Sequence, residues 1–188
     1  MRWTTLLVGP LALATTILGV GLLPQPLGTQ NAHAQNDADR VALVQSYLDA
    51  VSRGDVESAA SLFADNAVFI GTAPYGSCST STPCTSLAEI RPQLEAIVAV
   101  HVCQVLVDAA VVGAIVTART EATQDQIRAS GDERIIQAYL VQIPQDKITF
   151  LAAVLDPADP QTAHQLRVRA GTEPAGTPVT TPTRCAGS

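Results

Sequence analysis

Four segments rich in valine, isoleucine and threonine follow one another in the second half of the chain, separated by breaks that contain glycine or proline. They span 101–111, 114–123, 133–143 and 147–155. β-Branched residues are enriched in strands, and parallel neighbours would need a crossover of a dozen or more residues between them. We therefore expect four antiparallel strands that are adjacent in one sheet. The stretch 124–130 is either one turn of helix or a bent extension of the segment 114–123.

Three helices are predicted before these strands. The first covers 39–52, where apolar residues recur at helical spacing at Val41, Val44, Leu48 and Val51. A short second helix follows, with Asp55 as its N-cap. The third runs from Ser86 to near Val100, and Ser86 and Glu89 have the spacing of a capping box.

Between the second and third helices we expect a turn at Asp65-Asn66, a β-like run over 67–70 and a Gly/Pro/Ser/Thr-rich loop over 71–85. After the strands, Asp159 is the expected N-cap of a last helix, with Pro160 in its first position, that ends near Val168. The residues 169–188 are mostly Gly, Thr and Pro, a composition typical of a flexible tail. Helices followed by an antiparallel sheet indicate an α+β fold.

The first 34 residues have the composition of a secretory signal peptide. Arg2 is the only charged residue before Asp37, an apolar run extends over 6–23, and Ala32-His33-Ala34 provides a small-x-small cleavage motif. We expect cleavage after Ala34 and a secreted or extracytoplasmic domain over 35–168. An uncleaved N-terminal anchor is the alternative, because the apolar run is close to the length that spans a bilayer.

Net charge and aromatic content argue against binding to nucleic acids or to an anionic membrane surface. The 188 residues include 17 Asp or Glu and 11 Lys or Arg, a net charge of −6, and only 4% are aromatic. A nucleic-acid-binding domain needs a basic face to replace phosphate counterions, and an anionic membrane surface attracts the same basic residues. We therefore expect neither nucleic acid nor a membrane as a partner once the signal peptide is removed.

All four cysteines lie in the predicted mature chain, where export permits disulfides. Cys78 and Cys84 bracket a Ser/Thr/Pro loop, and we expect them to pair. A bond between Cys84 and Cys103 is disfavoured, because the helix between them would hold its ends ~20 Å apart. The pairing of Cys103 and Cys185 stays open. The spacing of Cys78 and Cys84 is poor for zinc and no histidine lies nearby, so no metal site is predicted.

The most specific stretch begins in the first helix: residues 44–56 read VQSYLDAVSRGDV, and residues 62–69 read LFADNAVF. A tyrosine-containing helix, a Gly-Asp break and Leu-Phe-Ala-Asp before the first strand resemble the opening of the SnoaL-like branch of the nuclear transport factor 2-like superfamily. Ile90-Arg91 is similar to the third helix of that family. The resemblance covers about 39–168. It implies a cone-shaped roll, in which three N-terminal helices pack on a curved, mainly antiparallel sheet that encloses a pocket, followed by a short C-terminal helix.

The resemblance also singles out residues. Tyr47 aligns with the tyrosine that donates a hydrogen bond to the oxyanion in ketosteroid-isomerase relatives; the alternative is that its ring packs in the core. The general base of those relatives falls on Gly71 and their second donor falls near Ala138, and neither residue has a suitable side chain. We therefore assign no isomerase activity. The fold hosts isomerases, cyclases, hydratases and binding modules, so it does not name a reaction.

Three further residues are candidates because of their chemistry. His101 has the ordinary pKa of a base or proton shuttle near neutral pH, but its place at the boundary of a helix and a strand suits a structural role. His164, on the last helix, has the same ordinary pKa and is likewise suited to a structural role. Asp65 is suited either to a base or, more simply, to capping its turn.

Polar side chains on two predicted strands are candidate ligand contacts. Thr117, Arg119 and Glu121 share one face of the segment 114–123, and Gln137 and Tyr139 share one face of the segment 133–143. The sequence does not decide whether these faces line the cavity or lie outside it.

Both faces of the segment 133–143 carry apolar residues: Ile135 and Val141 on one, Ile136 and Leu140 on the other. Two apolar faces indicate that the outer side of the sheet is covered as well. Dimerisation often covers it in the resembled superfamily, so we expect a homodimer.

These observations predict an exported SnoaL-like domain that binds a small apolar molecule in its cavity and uses no cofactor. One alternative is a cofactor-free isomerase, cyclase or hydratase, with Tyr47 as donor and His101 or Glu121 as base. Another is an interaction module whose sheet recruits a partner. An enzyme of this kind needs its donor and base to face one cavity, so the structure discriminates between these possibilities.

Overall fold

A computed structural model describes residues 28–72 and 77–180, with side chains from Asn36 onward. The elements are α1 (Gly28–Ser52), α2 (Val56–Ser61), β1 (Phe63–Ile70), α3 (Leu87–Val98), β2 (Cys103–Val112), β3 (Ile115–Thr123), α4 (Asp125–Ala129), β4 (Ile135–Gln142), β5 (Ile148–Leu155) and α5 (Pro160–Arg169). Within the described ranges, no helix has the length and hydrophobicity needed to cross a bilayer. Most of the predicted signal peptide lies outside these ranges.

The first helix begins earlier than its apolar periodicity predicts. It starts at Gly28 rather than at residue 39, and the added residues lack the apolar periodicity on which the prediction was based. The predicted cleavage position after Ala34 falls within this helix and stays a prediction.

The sheet has five strands in the order β1-β5-β4-β3-β2. β2, β3, β4 and β5 pair antiparallel with their neighbours in sequence, which confirms the predicted arrangement. β1 lies at the other edge and pairs parallel with β5. The long intervening chain supplies the crossover that a parallel pair requires.

The predicted turn at Asp65-Asn66 is wrong. Both residues lie within β1, where the register with β5 shifts between Phe63 and Val68. An irregularity of this kind takes up extra residues while the strand continues, so a turn-like pair of residues does not end β1.

Burial alternates along β3 and β4 and thereby identifies the inner face of the sheet. On β3 the buried residues are Val116, Ala118, Thr120 and Ala122. On β4 the inward positions are Ile135, Gln137, Tyr139 and Val141, and the register places Gln137 opposite Thr120 and Tyr139 opposite Ala118. Gln137 and Tyr139 therefore face inward, whereas Thr117, Arg119 and Glu121 belong to the outer face.

Helices α1 and α3 cover the inner face. The predicted apolar stripe of α1 supplies the buried Val44, Leu48 and Val51. Tyr47 packs edge-on against Phe63 of β1, with ring centroids 5.7 Å apart. On the outer face, α5 covers the start of β4, where Thr162 Oγ1 accepts a hydrogen bond from the backbone N–H of Ile136 at 2.8 Å.

The predicted N-caps are confirmed. The side chains of Asp55, Ser86 and Asp159 each accept a hydrogen bond from a backbone N–H three residues later. In the predicted capping box, the Glu89 carboxylate reaches back to the N–H of Thr85, at 2.7 Å, rather than to that of Ser86. The stretch 124–130, left open by the sequence, forms the short helix α4.

The segment after α5, predicted as part of a flexible tail, has defined contacts with α4. The backbone N–H of Gly176 donates to Ser130 O at 2.7 Å, and that of Val179 donates to Arg128 O at 2.9 Å. Gly131 adopts φ +92°, and a Cβ there would lie 2.9 Å from Gly176 Cα. The close approach of the two backbones therefore requires glycine at 131.

Ion pairs and hydrogen bonds between charged side chains also connect α5 with the residues after α4 and with the segment after α5. His164 of α5 places Nδ1 2.8 Å from Asp132 Oδ2 and Nε2 3.9 Å from Glu173 Oε1. Glu173 also pairs with Arg167, at 2.5 Å. The hydrogen bond to Asp132 raises the pKa of His164 above its ordinary value.

This arrangement predicts a pH-dependent part of the stability. Because the pKa of folded His164 is raised, its contribution is fully present below the pKa of an unfolded histidine and is lost as pH rises through the folded value. Urea unfolding between about pH 5 and about pH 9 should show this loss in the wild type. In His164→Gln the same fall should be absent; an identical pH profile for both proteins would contradict the assignment.

Candidate functional site

A pocket lies between the inner face of the sheet and the helices α1 and α3, with a cavity volume of about 30 Å³. That volume accommodates about two water molecules. Its apolar walls are formed by Phe69, Ile97, Val102, Ala122, Ile135 and Ala153. Its polar side chains are mainly two tyrosines and four glutamines: Tyr47, Tyr139, Gln93, Gln104, Gln124 and Gln137. Gly71, Thr72 and Ile97 are only half-buried and mark the side that opens to solvent.

The described lining carries no ionisable group that titrates near neutral pH. Asp, Glu, His, Lys, Arg and Cys are absent from the described residues that form the walls. Burial raises the pKa of both Tyr47 and Tyr139 above the ordinary value of a phenol. Both hydroxyls therefore stay protonated and remain hydrogen-bond donors across the physiological pH range.

A short hydrogen-bond network crosses the polar side of the pocket. Gln104 Nε2 donates to Gln137 Oε1 at 3.2 Å, and Tyr139 Oη donates to the same oxygen at 3.1 Å. Two amide atoms are left over: Gln104 Oε1 and Gln124 Nε2 are buried and have no hydrogen-bond partner among the described residues. A buried polar atom left unpaired costs about 1–3 kcal/mol.

Local structure explains how these two glutamines reach the pocket. Gln104 lies on the inner face of β2, and its backbone N–H donates to Ser52 Oγ of α1 at 2.9 Å. Gln124 is the extended residue between β3 and α4, and its side chain makes no capping hydrogen bond with the helix. The side-chain amide of Gln124 is thus available to the pocket rather than to α4.

The predicted disulfide between Cys78 and Cys84 is present and borders the pocket. Phe69 and Cys84 exchange two backbone hydrogen bonds, at 2.8 and 3.1 Å, and Gly71 N donates to Cys78 O at 3.1 Å. The N–H of Cys78 donates to Gln93 Oε1 at 3.2 Å. Cys103 is also disulfide-bonded, and its possible partner, Cys185, lies outside the described residues.

The structure brings three of the predicted site residues together. Tyr47, Gln137 and Tyr139 all line the pocket. Gly71, the position of the general base in the isomerase relatives, lies at its mouth without a side chain. Ala138 is on the outer face, so its inward neighbours Gln137 and Tyr139 occupy the place expected for a second donor.

The other candidates lie elsewhere. Thr117 is exposed on the outer face, where Arg119 lies 3.6 Å from Asp156 and Glu121 lies 3.5 Å from Arg134. Their side of β3 faces away from the pocket because side chains alternate along a strand. Asp65 is exposed on β1.

His101 adopts φ +51° after α3, and its side chain is 78% exposed. Its Nδ1 lies 2.7 Å from Asp125 Oδ2, and this hydrogen bond lowers the pKa of Asp125. Tyr47, His101 and Glu121 therefore do not share a cavity, and the donor–base combinations considered from sequence are not assembled. Elsewhere in the described ranges, no cluster of three His, Cys, Asp or Glu side chains is placed to hold a metal ion.

Gln93, Gln104 and Gln124 were not predicted as site residues. Gln104 sits in a predicted strand, where a polar residue at an inward position is a detectable signal once the inner face is known. That face could not be chosen from the sequence, so the signal could not be used. Gln124 begins the stretch 124–130, whose structure the sequence left open.

Comparison with known proteins adds information on the fold. No protein-family model and no curated protein matches the sequence. Among solved structures, the chain is similar to SalBIII, an epoxide hydrolase/cyclase-like enzyme of pyran ring formation in salinomycin, with 20% identity, a TM-score of 0.51, and coverage of 64% of this chain and 92% of that chain. A protein from Kribbella flavida matches with 13% identity, a TM-score of 0.51, and coverage of 70% and 96%.

An NTF2-like protein of unknown function from Cytophaga hutchinsonii is also similar, with 17% identity, a TM-score of 0.48, and coverage of 63% and 91%. Identities this low show a shared fold and leave the activity open. The α+β roll expected from the sequence is confirmed, and the chain shares its fold with SalBIII and with the Kribbella flavida protein.

Proposed function

We propose that the chain is an exported binding domain that holds a small, largely apolar and uncharged molecule in the pocket between its sheet and its helices. The supporting observation is the pair of buried, unpaired amide atoms, Gln104 Oε1 and Gln124 Nε2, in a pocket whose other described lining residues are apolar or uncharged polar residues. A ligand that pairs with these atoms recovers the free energy lost by burying them without partners. Export rests on the N-terminal sequence alone.

The chemistry of the lining favours an uncharged ligand. An ion entering the pocket would lose its hydration and find no opposite charge among the described lining residues, which is strongly unfavourable. Aliphatic and aromatic walls favour an apolar body. The small cavity accommodates a polar head group, and the body of the ligand extends toward the open side at Gly71, Thr72 and Ile97.

An NMR titration of the purified protein with acetophenone and with benzoate tests this proposal. We expect acetophenone, which is uncharged and has one polar group, to shift the methyl resonances of pocket residues such as Ala122, Ala153 and Ile97, whereas benzoate shifts none of them. In Ala153→Leu the added side chain fills the pocket, so the acetophenone shifts should disappear. Ala110→Leu, on an exposed part of β2, is the matched control. Equal binding of benzoate, or no acetophenone shifts in the wild type, would refute the proposal.

The outer face of the sheet supports a second proposal, a homodimer. α5 covers Ile136, but large apolar side chains remain exposed on this face, among them Val112, which is 78% exposed, and Ile115, Leu140 and Val154. Contiguous exposed apolar side chains are typical of interaction sites. Light scattering should give the mass of a dimer for the wild type and of a monomer for Leu140→Glu. A monomeric wild type at micromolar concentration would disprove the dimer.

A further inference from the structure

We propose that the pocket selects a ligand whose polar group is an uncharged amide, with one N–H donor and one carbonyl acceptor. This rests on the proposed function, because it names the chemistry of the molecule held in the same pocket. Gln104 Oε1 is an acceptor and Gln124 Nε2 is a donor, and neither has a partner among the described residues. Gln104 is 6% exposed and Gln124 is 2% exposed, and both line the pocket.

The hydrogen-bond network determines which atom of the Gln104 side-chain amide is left without a partner. Gln137 Oε1 accepts from both Gln104 Nε2 and Tyr139 Oη, so the amide nitrogen of Gln104 is committed to Gln137. The oxygen of Gln104 is then the atom presented to a ligand, and it requires a donor. Gln124 Nε2 requires the opposite, an acceptor. A carboxamide, a lactam or an imide supplies both groups in one uncharged unit.

Other polar head groups match less well. A ketone or an ester has an acceptor for Gln124 but no donor for Gln104, so its binding leaves the buried oxygen unpaired. A carboxylate brings a negative charge toward Gln104 Oε1 and has no cation beside it among the described lining residues. A site built around hydrogen bonds discriminates strongly against analogues that lack the partner, because its own buried groups stay unsatisfied.

Benzamide, acetophenone and benzoate form a matched set of probes, since they share the ring and the number of non-hydrogen atoms. Their dissociation constants with the purified protein can be measured by NMR titration. We expect benzamide to bind at least about tenfold more tightly than either of the others, the ratio expected when one buried hydrogen bond is lost. In Gln104→Met the benzamide-to-acetophenone ratio should fall to near unity, because only benzamide has a donor for Gln104. In Gln124→Met both probes should bind more weakly by a similar factor, because both supply the carbonyl acceptor. Gln142→Met, the same change at an exposed glutamine of β4, should preserve the ratio.

The outcomes separate this inference from the proposed function. If acetophenone binds and benzamide binds no better, amide recognition is refuted and small-molecule binding stands; the unpaired Gln104 Oε1 is then hydrogen-bonded by water. If the preference for benzamide survives in Gln104→Met, or if Gln124→Met binds both probes as tightly as the wild type, with circular dichroism unchanged in each variant, these glutamines do not recognise the amide. If no uncharged probe binds, the proposed function and the amide inference both fail.

Discussion

Leu48→Ala should lower the free energy of unfolding by about 3 kcal/mol, within the range measured for truncating a fully buried leucine. Leu48 is completely buried on α1, in the apolar stripe that packs against the inner face of the sheet. The loss combines the transfer free energy of the removed methyl groups with the cavity left behind. Urea unfolding followed by circular dichroism measures it.

The matched control is Val107→Ala, because Val107 on β2 is 51% exposed. Truncation there should change the free energy of unfolding by less than about 0.5 kcal/mol, as for most surface positions. A loss of comparable size in the two variants would show that α1 does not pack on the sheet as described.

Removing the disulfide, in the double variant Cys78→Ala/Cys84→Ala, should cost about 2 kcal/mol, the loop-closure value for a short loop. The two cysteines are six positions apart and both are buried, so alanine avoids placing a hydroxyl in the core. The hydrogen bonds of Cys84 with Phe69 and of Cys78 with Gln93 tie this loop to the pocket wall. Weaker acetophenone binding is therefore expected in the same variant.

Urea unfolding without reductant measures this loss, with the wild type as reference. Peptide mapping of the unreduced wild type should recover Cys78 and Cys84 in one linked pair. Free thiols at both positions, or unchanged stability of the double variant, would contradict the role given to this bond.

Most of the fold follows from local patterns in the sequence. The apolar spacing in 39–52, the caps at Asp55, Ser86 and Asp159, and the β-branched runs each depend on a few neighbouring residues, so each could be predicted separately. Short breaks between the strands then dictate an antiparallel order. The cone shape came from the resemblance of the stretch around Tyr47, not from periodicity.

Features that depend on distant contacts could not be predicted in this way. The parallel pairing of β1 with β5 joins residues far apart in sequence, Phe69 with Leu151 for example. The extended course of β1 through Asp65 and Asn66 depends on the same pairing. Likewise, the segment around Gly176 reads as a spacer by composition, yet its backbone is held by the end of α4.

The candidate site was predicted only in part for the same reason. Tyr47 was identified through the family resemblance, and Gln137 and Tyr139 through alternation along one strand. Thr117, Arg119 and Glu121 obey the same alternation but lie on the opposite face, and only the register of β3 with β4 distinguishes the two sets. Gln104 and Gln124 can be recognised as site residues only from the structure, which shows that a polar atom of each side chain is buried without a hydrogen-bond partner among the described residues.

The described lining of the pocket contains hydrogen-bond donors that are neutral at physiological pH. Tyr47 and Tyr139 provide neutral donors, as an oxyanion-stabilising site would, but the described lining offers no group that accepts a proton near neutral pH. General base catalysis needs such a group within hydrogen-bond reach of the reacting proton, directly or through one water. What the described lining offers is neutral hydrogen-bond donors beside apolar walls.

Native mass spectrometry of the purified protein, compared with the pocket-filling variant Ala153→Leu, tests the central claim most directly. The spectrum of the wild type should show the mass of the protein plus a bound small molecule. Denaturation should release this molecule, and it should be a compound that is uncharged at neutral pH. The variant, with unchanged circular dichroism, should lack that mass. An identical adduct on both proteins would place the ligand elsewhere, and a wild type without any adduct would contradict the claim that this pocket is a binding site.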